Sequence, residues 1–339
     1  MVSVPHIVPR GSGAGREEEI SSAGLIPERA LECVDSPFTE DSEPGVFVLP
    51  GGFVSDDGVA HRRAVMRPLI GFDEEWLVDL SSGAFAASVI TGLLTRCLVR
   101  LGSICPVPRS VVGGLLISDR EYLIMKMREM TLGTRVDSVI RCANEDCGAP
   151  MQISFTLADF AIDQEPLDQR FFKKRASSSG SSDSDCEVEF RLPTGDDQEA
   201  LAPAFTRDEN AAARQLLARC IGRIGEKTEI GDGEVSNLPE NVRRELSMEM
   251  ERLAPPLTGE FESACPECGF ICSSALDFST YFLAEMKSSL HLLERDIHLL
   301  AWNYHWPERE VLSLTRKKRR RYVEMVNEEI DRRIGIAWT

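Results

Sequence analysis

Apolar and polar residues alternate over residues 45–69, in the run GVFVLPGGFVSDDGVAHRRAVMRPL. A period of two is typical of β-strands that bury one face. The dipeptide Asp57-Gly58 lies midway along the run and favours a tight turn, because both central turn positions need positive φ. The pattern therefore predicts a β-hairpin in this segment.

A second pattern, with apolar residues three and four apart, predicts helices elsewhere in the chain. It covers residues 83–101, where one apolar stripe runs the length of the segment. Two capping-box pairs, Ser118 with Glu121 and Thr206 with Glu209, predict the starts of two further helices. The alternation of hairpin-like and helical patterns favours an α+β fold.

Two short segments each carry two cysteines with a glycine directly after the second. They are RCANEDCGAP at residues 141–150 and ACPECGFICS at residues 264–273. Apolar, strand-like residues flank both, so each is predicted to be a knuckle at the tip of a short β-hairpin. The glycine permits the positive φ that such a turn needs.

The four cysteines of these knuckles, Cys142, Cys147, Cys265 and Cys268, form a candidate zinc-ribbon-type site. Zn²⁺ prefers four tetrahedral ligands, and a set of four thiolates leaves no position for water or substrate. We therefore expect a structural zinc ion. The 117 residues between the pairs do not forbid this, because loop-closure entropy grows only logarithmically with length.

Two alternatives remain for the cysteines. The knuckles are either unrelated turns or a site that has lost its ion. Cys272 is a competing ligand by position, but a strand residue there is more often directed into the core.

Composition divides the chain into five predicted segments. Residues 1–45 form a disordered tail, 46–172 an α+β half with the first knuckle, and 173–188 a flexible Ser-rich insertion. Residues 189–260 form a mainly helical middle, and 261–339 carry the second knuckle and the C-terminal helices. The predicted fold is α+β: a zinc-ribbon-like pair of knuckles on short hairpins, surrounded by helices, with a helical C-terminal lobe.

The net charge of −17 and the pI near 4.9 argue against a general nucleic-acid binder, which needs clustered positive charge. No apolar run is long enough to cross a membrane, and the start of the chain lacks the features of a signal peptide. We therefore expect a cytoplasmic protein with protein partners. In that compartment, paired cysteines favour metal binding over disulfides.

No catalytic constellation is visible in the sequence. It contains no Gly-rich phosphate loop, nucleophile elbow or HExxH motif. His291, His298 and His305 are seven residues apart, too far to share a metal ion on a helix. The acids in RPLIGFDEEW and TGDDQEA lie near predicted helix starts, where they are favourable with the helix dipole. The sequence predicts a non-enzymatic protein.

The C-terminal lobe carries the candidate partner-binding residues. An aromatic cluster is followed by the basic run TRKKRRRY at residues 315–322, on an otherwise acidic chain. Either the basic run is a solvated helix that contacts protein, or residues 316–321 contact nucleic acid. The candidates are Trp302, Tyr304, His305, Trp306, Arg319, Arg320 and Tyr322.

The order of these motifs resembles one known family. SDREYLIMKMREMTLGTRV, RCANEDCG, FRLPTGDDQEAL, CPECG and LERDIHLLAWNYHWPEREVLSLTRKKRRRYVEMV follow one another as in the T-even phage baseplate hub assembly chaperones. Cellular relatives of that family accompany contractile, phage-tail-like injection systems. The likeness covers residues 46–335 without the Ser-rich tract, and its most specific part is the Tyr-His-Trp segment.

The resemblance implies a non-enzymatic assembly chaperone or accessory component of a baseplate hub, with hub or other tail proteins as partners. It implies no membrane and no small-molecule substrate. The tail at 1–45 and the insertion at 173–188 depart from the family pattern. The alternative function is a zinc-ribbon adaptor or regulator that contacts nucleic acid through the basic run.

Overall fold

The computed structural model describes residues 45–79, 84–157, 167, 169–177, 185–255, 260–275 and 277–337. The predicted tail at 1–45 lies outside this part of the chain apart from Gly45. The described residues form a mixed α+β structure with small antiparallel sheets and a helical C-terminal region, as predicted.

The first half of the described chain contains nine elements. They are β1 (Gly45–Val54), β2 (Ala60–Met66), α1 (Gly71–Asp79), α2 (Ala86–Cys97), β3 (Leu98–Leu101), α3 (Arg109–Gly113), α4 (Ile117–Leu132), β4 (Arg135–Arg141) and β5 (Pro150–Thr156). The predicted hairpin is confirmed: β1 and β2 are antiparallel, and Gly58 in their turn has a φ of 81°.

The second half repeats this order of nine elements. They are β6 (Phe172–Ser177), β7 (Asp185–Phe190), α5 (Gly195–Phe205), α6 (Glu209–Cys220), β8 (Ile221–Ile224), α7 (Asp232–Ser236), α8 (Glu240–Leu253), β9 (Glu260–Ala264) and β10 (Ile271–Ala275). Each half builds a three-stranded antiparallel sheet and a two-stranded hairpin. We call residues 45–157 repeat 1 and residues 169–275 repeat 2.

Four helices follow: α9 (Phe278–Ser288), α10 (Leu290–Tyr304), α11 (Glu308–Leu312) and α12 (Arg316–Ala337). Three side chains of α9 join the core of repeat 1, namely Phe282, Leu283 and Met286. Helices α10, α11 and α12 follow one another as α2, α3 and α4 do, with the short helix in the middle. We call residues 290–337 the partial repeat 3.

A buried aspartate occupies the same position in both full repeats. In repeat 1, Asp73 accepts hydrogen bonds from the Nη1 of Arg67 at 2.5 Å and the Nε of Arg96 at 3.0 Å. The carboxylate is fully buried, and its two ion pairs link the end of β2, the start of α1 and the end of α2.

Asp197 does the same in repeat 2. It accepts from the Nη1 of Arg191 at 2.6 Å and from the Nε of Arg219 at 2.8 Å. Its side chain also completes a capping box with Thr194, the N-cap of α5. We call Arg67–Asp73 and Arg191–Asp197 the two Gly–Asp turns, after the Gly-x-Asp sequence that each contains.

Two sequence predictions about elements differ from the structure. The helix predicted over 83–101 ends at Cys97, since Leu98 and Leu101 turn into β3, which pairs with β2. The residues predicted to be a flexible insertion at 173–188 include most of two paired strands, β6 and β7. Phe172, Val188 and Phe190 are buried and form a core face. The composition of the segment does not reveal this face, because most of the residues around them are polar.

Both capping-box predictions were wrong. Helix α4 begins at Ile117 with Leu116 as its N-cap, and α6 is capped by Asp208, which accepts from the Ala211 N–H. Glu121 instead reaches α9, where its carboxylate accepts from the N–H and the hydroxyl of Ser279.

Asp197→Asn is expected to lower the free energy of unfolding by about 2–3 kcal/mol, because two arginines lose their buried counter-charge. Arg219 is 42% exposed, which keeps the loss below that of a fully buried pair. Urea denaturation measures it. Glu209→Gln, an exposed carboxylate in the first turn of α6, is the matched control and should change stability by less than about 0.5 kcal/mol.

The pKa of Asp197 predicts that the stability difference between wild type and this variant depends on pH. Burial opposes ionisation of Asp197, but hydrogen bonds from Arg191 and the Thr194 N–H outweigh it and lower its pKa to about 2. An unfolded aspartate has a pKa of about 3.9, so the ionised form stabilises the fold above that pH. The difference between wild type and Asp197→Asn should therefore shrink as the pH falls from about 4 towards 2. A difference that is constant across this range would contradict the assignment.

For Glu121 we expect the opposite pH dependence of stability, in a range nearer neutral pH. Burial, together with the nearby Asp277, raises its pKa to about 7. The folded protein therefore holds a proton that an unfolded glutamate releases near pH 4.3, and stability falls as the pH rises from about 5 to 7. Unfolding curves at several pH values should show a flatter dependence for Glu121→Gln. Glu129→Gln, on the same helix, should follow the wild type, and parallel curves for all three proteins would contradict the prediction.

Candidate metal centre

The first knuckle is the tip of the β4–β5 hairpin. The strands pair up to Arg141 and Pro150, and the Cys142 N–H donates to the carbonyl of Ala149 at 2.9 Å. Gly148 adopts a φ of 55°, which lets the chain turn back directly after Cys147. Both sulfurs therefore lie at the same end of the hairpin.

The second knuckle is built in the same way on β9 and β10. The strands pair up to Ala264 and Ile271, and the Cys265 N–H donates to the Phe270 carbonyl at 2.8 Å. Gly269 has a φ of 72° and follows Cys268. The two knuckles occupy the same place in repeats 1 and 2, at the end of the last hairpin of each.

The structure brings all four predicted cysteines together. Their sulfur atoms lie within 4.8 Å of one another. The Sγ atoms of Cys142 and Cys268 are 3.6 Å apart, and those of Cys147 and Cys265 are 3.9 Å apart. A tetrahedron with metal–sulfur bonds of about 2.3 Å has sulfur–sulfur edges of about 3.8 Å. The four sulfurs could therefore hold a metal ion.

The surroundings of the cluster differ from one sulfur to another. Hydrogen bonds from the N–H groups of Cys268 and Glu267 lower the pKa of the Cys265 thiol to about 7. Burial raises the pKa of Cys142. Metal ions bind thiolates, so the lowered pKa of Cys265 favours metal binding.

Cys272 lies beside the cluster in the core, as predicted for a strand residue at this position. It is 3% exposed, and its sulfur is 3.9 Å from that of Cys142. It accepts a hydrogen bond from the Ala143 N–H at 3.4 Å and contacts the Met151 sulfur at 3.7 Å. These contacts pack the two hairpins against each other.

The predicted partner-binding residues fall into two groups. Tyr304, Trp306 and Tyr322 pack together, with ring centroids 5.0–6.0 Å apart, over a small core between α10 and α12. Trp302 is 74% exposed and stacks only on His298 among the described aromatic rings. His305 is exposed and ends α10 in the left-handed conformation.

The basic run does not form one continuous surface. Arg316 and Arg319 are buried and face Glu74, with Arg319 Nη2 at 2.5 Å from its carboxylate. Lys317, Arg320 and Arg321 are exposed. Two of the six residues of the predicted nucleic-acid contact are therefore used within the chain to fix α12 against α1.

Sequence reasoning missed the internal duplication beyond the knuckles, although two signals for it were present. The segments RPLIGFD and RLPTGDD share the pattern Arg-x-x-x-Gly-x-Asp, and RCLVRLG and RCIGRIG share Arg-Cys-x-x-Arg-x-Gly. The second pattern follows the first by nearly the same distance in both repeats. The acids Asp73 and Asp197 in these segments pair with arginines, in addition to lying near helix starts as the sequence predicts.

A model of the family described as T4 bacteriophage base plate protein matches residues 88–282, more than half of the chain. The chain belongs to this family. The match to the baseplate family extends from α2 to α9 and includes both knuckles. It confirms the resemblance seen in the sequence at the level of a T4-type baseplate protein.

Two other comparisons gave no further relative of this baseplate protein. No curated protein and no solved structure matches it significantly. Within the described residues, no helix has both the length and the apolar character needed to cross a membrane.

Elemental analysis of the purified protein should find about one metal ion per chain. Cys142→Ser and Cys268→Ser, one from each repeat, should both lose it, because each removes a quarter of a ligand set that spans the two repeats. Cys272→Ala is the control and should keep the metal, since its sulfur lies outside the four-sulfur group. Retention of the metal by both serine variants would rule out the shared site.

Proposed function

We propose that this baseplate-family protein is an assembly chaperone or accessory component of a contractile, phage-tail-like baseplate hub, and that it acts by binding other tail proteins rather than by catalysis. The observation that carries the proposal is the family match, which includes both knuckles. The closed set of four thiolates supports a structural role for the site, because a catalytic metal needs an open ligand position.

The metal of the proposed site is Zn²⁺, and the two knuckles form a zinc-ribbon-like unit. Four cysteine ligands favour zinc over the harder cations, which prefer oxygen. Each repeat contributes one pair, so the ion ties the end of repeat 1 to the end of repeat 2. Its effect on function is indirect: it fixes the two repeats in one arrangement.

The C-terminal helices present the proposed partner surface, formed by Trp302, Tyr304, His305, Trp306, Arg320 and Tyr322. Trp302 is the leading contact because a large, exposed aromatic side chain loses the most apolar surface on binding. Arg320 adds an exposed positive charge on α12. Arg319 is left out of this surface, since it is 1% exposed and paired with Glu74.

This arrangement suggests how the protein would act. Helix α12 is held against α1 by the Glu74 ion pairs, so the aromatic surface has a fixed position relative to repeat 1. The proposed zinc ion fixes repeat 2 relative to repeat 1. A hub protein bound at the C-terminal helices would then be presented at a defined orientation to other components, as assembly requires.

Co-expression with tube, sheath and hub proteins, followed by affinity purification, tests the proposal. The protein should co-purify with at least one of them. Trp302→Ala should weaken that complex by about 30-fold, the cost of about 2 kcal/mol that is typical of a central aromatic contact. Val139→Ala, an apolar residue on β4 that is 66% exposed, is the matched control and should bind normally.

Failure to co-purify with any tail protein would overturn the proposal. Normal binding by Trp302→Ala would move the partner surface away from the C-terminal helices. Quantitative mass spectrometry of finished particles separates the two modes of action, since a chaperone leaves the particle and an accessory component remains in it.

A further inference from the structure

Three segments of the chain share one local structure, a short helix followed by the start of a longer one. We call residues 109–120, 232–243 and 308–319 the receiving segments of repeats 1, 2 and 3. In each, a leucine N–H donates to a valine carbonyl three residues earlier: Leu115 to Val112 at 3.3 Å, Leu238 to Val235 at 3.1 Å and Leu314 to Val311 at 3.2 Å. Each segment also ends on an arginine, namely Arg120, Arg243 or Arg319.

The receiving segment of repeat 1 holds the Gly–Asp turn of repeat 2. The Gly195 N–H donates to the Leu115 carbonyl at 3.0 Å, and the Ile117 N–H donates to the Pro193 carbonyl at 3.3 Å. A Cβ at Gly195 would collide with the guanidinium of Arg120, a side chain that is buried against the turn. This explains why the turn carries a glycine.

The receiving segment of repeat 3 holds the Gly–Asp turn of repeat 1 in the same way. The Gly71 N–H donates to the Leu314 carbonyl at 3.2 Å, and a Cβ at Gly71 would meet the backbone of Leu312. An acidic residue on the helix that follows the turn completes the contact, because Glu74 pairs with Arg319. Two of the three receiving segments are thus occupied within the chain.

The receiving segment of repeat 2 is open in the part of the chain that the structure describes. Ser236, Asn237, Pro239 and Glu240 are exposed, whereas the equivalent residues of repeat 1 (Gly113, Gly114, Leu116 and Ile117) are buried or half-buried. Within the part of the chain that the structure describes, both Gly–Asp turns already lie against other segments. Arg243 is half-buried and donates only to the carbonyl of Ser236, at 3.2 Å, among the contacts seen.

Positive charge is concentrated at the C-terminal end of this open segment. Arg243 is followed by the exposed Arg244. On α6, Arg214 occupies the position that Thr91 has on α2, and in repeat 1 Thr91 contacts Arg120. Asp232, Glu234 and Glu240 are acidic, and all three precede Arg243 in the segment. An acidic helix start would find complementary charge at Arg243, as Glu74 does at Arg319.

We propose that residues 232–243 are the docking site for a Gly–Asp-type turn of another protein of the baseplate: a strand that leads into a helix, with a glycine at the helix start and an acidic residue within the next three positions. The glycine N–H would donate to the Leu238 carbonyl, and the acidic side chain would pair with Arg243. A second copy of this chain is disfavoured as the occupant, since its own two turns are engaged. This inference rests on the proposed function.

A photo-reactive amino acid at Asn237, in the full chain co-expressed with the baseplate proteins, tests the docking site. The expected cross-link joins Asn237 to one partner peptide, at a helix start that contains glycine followed by Asp or Glu. The same probe at Ser247, an exposed position further along α8, is the matched control and should give no such cross-link. Arg243→Glu should lower the yield by about tenfold and Arg243→Lys much less, because the contact needs a positive charge.

Each other outcome overturns the inference. A cross-link to residues 67–73 or 191–197 would show that a second copy is the occupant. A cross-linked partner peptide without the glycine and acidic residue, or an equal yield for Arg243→Glu, would show a different contact. Absence of any cross-link while the protein still co-purifies with tail proteins would refute the docking site and leave the proposed function standing.

Discussion

The structure depends on two buried carboxylates, each neutralised by two arginines. Asp73 and Asp197 have no exposed surface, so each must be paired, and the pairing fixes where a strand ends, where the next helix begins and where the following helix stops. The same contact sets the direction of the Gly–Asp turn. Because that turn docks on a neighbouring repeat, the charge pair determines both the shape of each repeat and the way the repeats assemble.

The duplication gives the cysteine cluster a simple explanation. Each full repeat ends in a hairpin with a two-cysteine knuckle, and one knuckle alone offers only half of a tetrahedral site. The long separation between the pairs is the length of one repeat. The Gly–Asp turns and the knuckles therefore connect the repeats at two different places, one through backbone hydrogen bonds and charge, the other through sulfur.

The sequence predicted the features that depend on local pattern: the first hairpin, the cysteine knuckles and the helical C-terminus. It failed where tertiary contacts decide. Leu98 and Leu101 continue a helical stripe but pair with β2, and Glu121 fits a capping box but binds Ser279 on a distant helix. Phe172 and Val188 are core residues in a polar tract. The burial of Arg319 also required the structure, because its partner Glu74 is 245 residues away.

The division of the four cysteines between two repeats also orders events during synthesis. Cys142 and Cys147 leave the ribosome long before Cys265 and Cys268, since chains emerge from the N-terminus at about 5–20 residues per second. For several seconds the nascent protein carries two thiols without their partners. A complete four-sulfur group exists only once residue 268 has emerged and both repeats have come together, so any metal bound by all four cysteines is bound only after both repeats have been made.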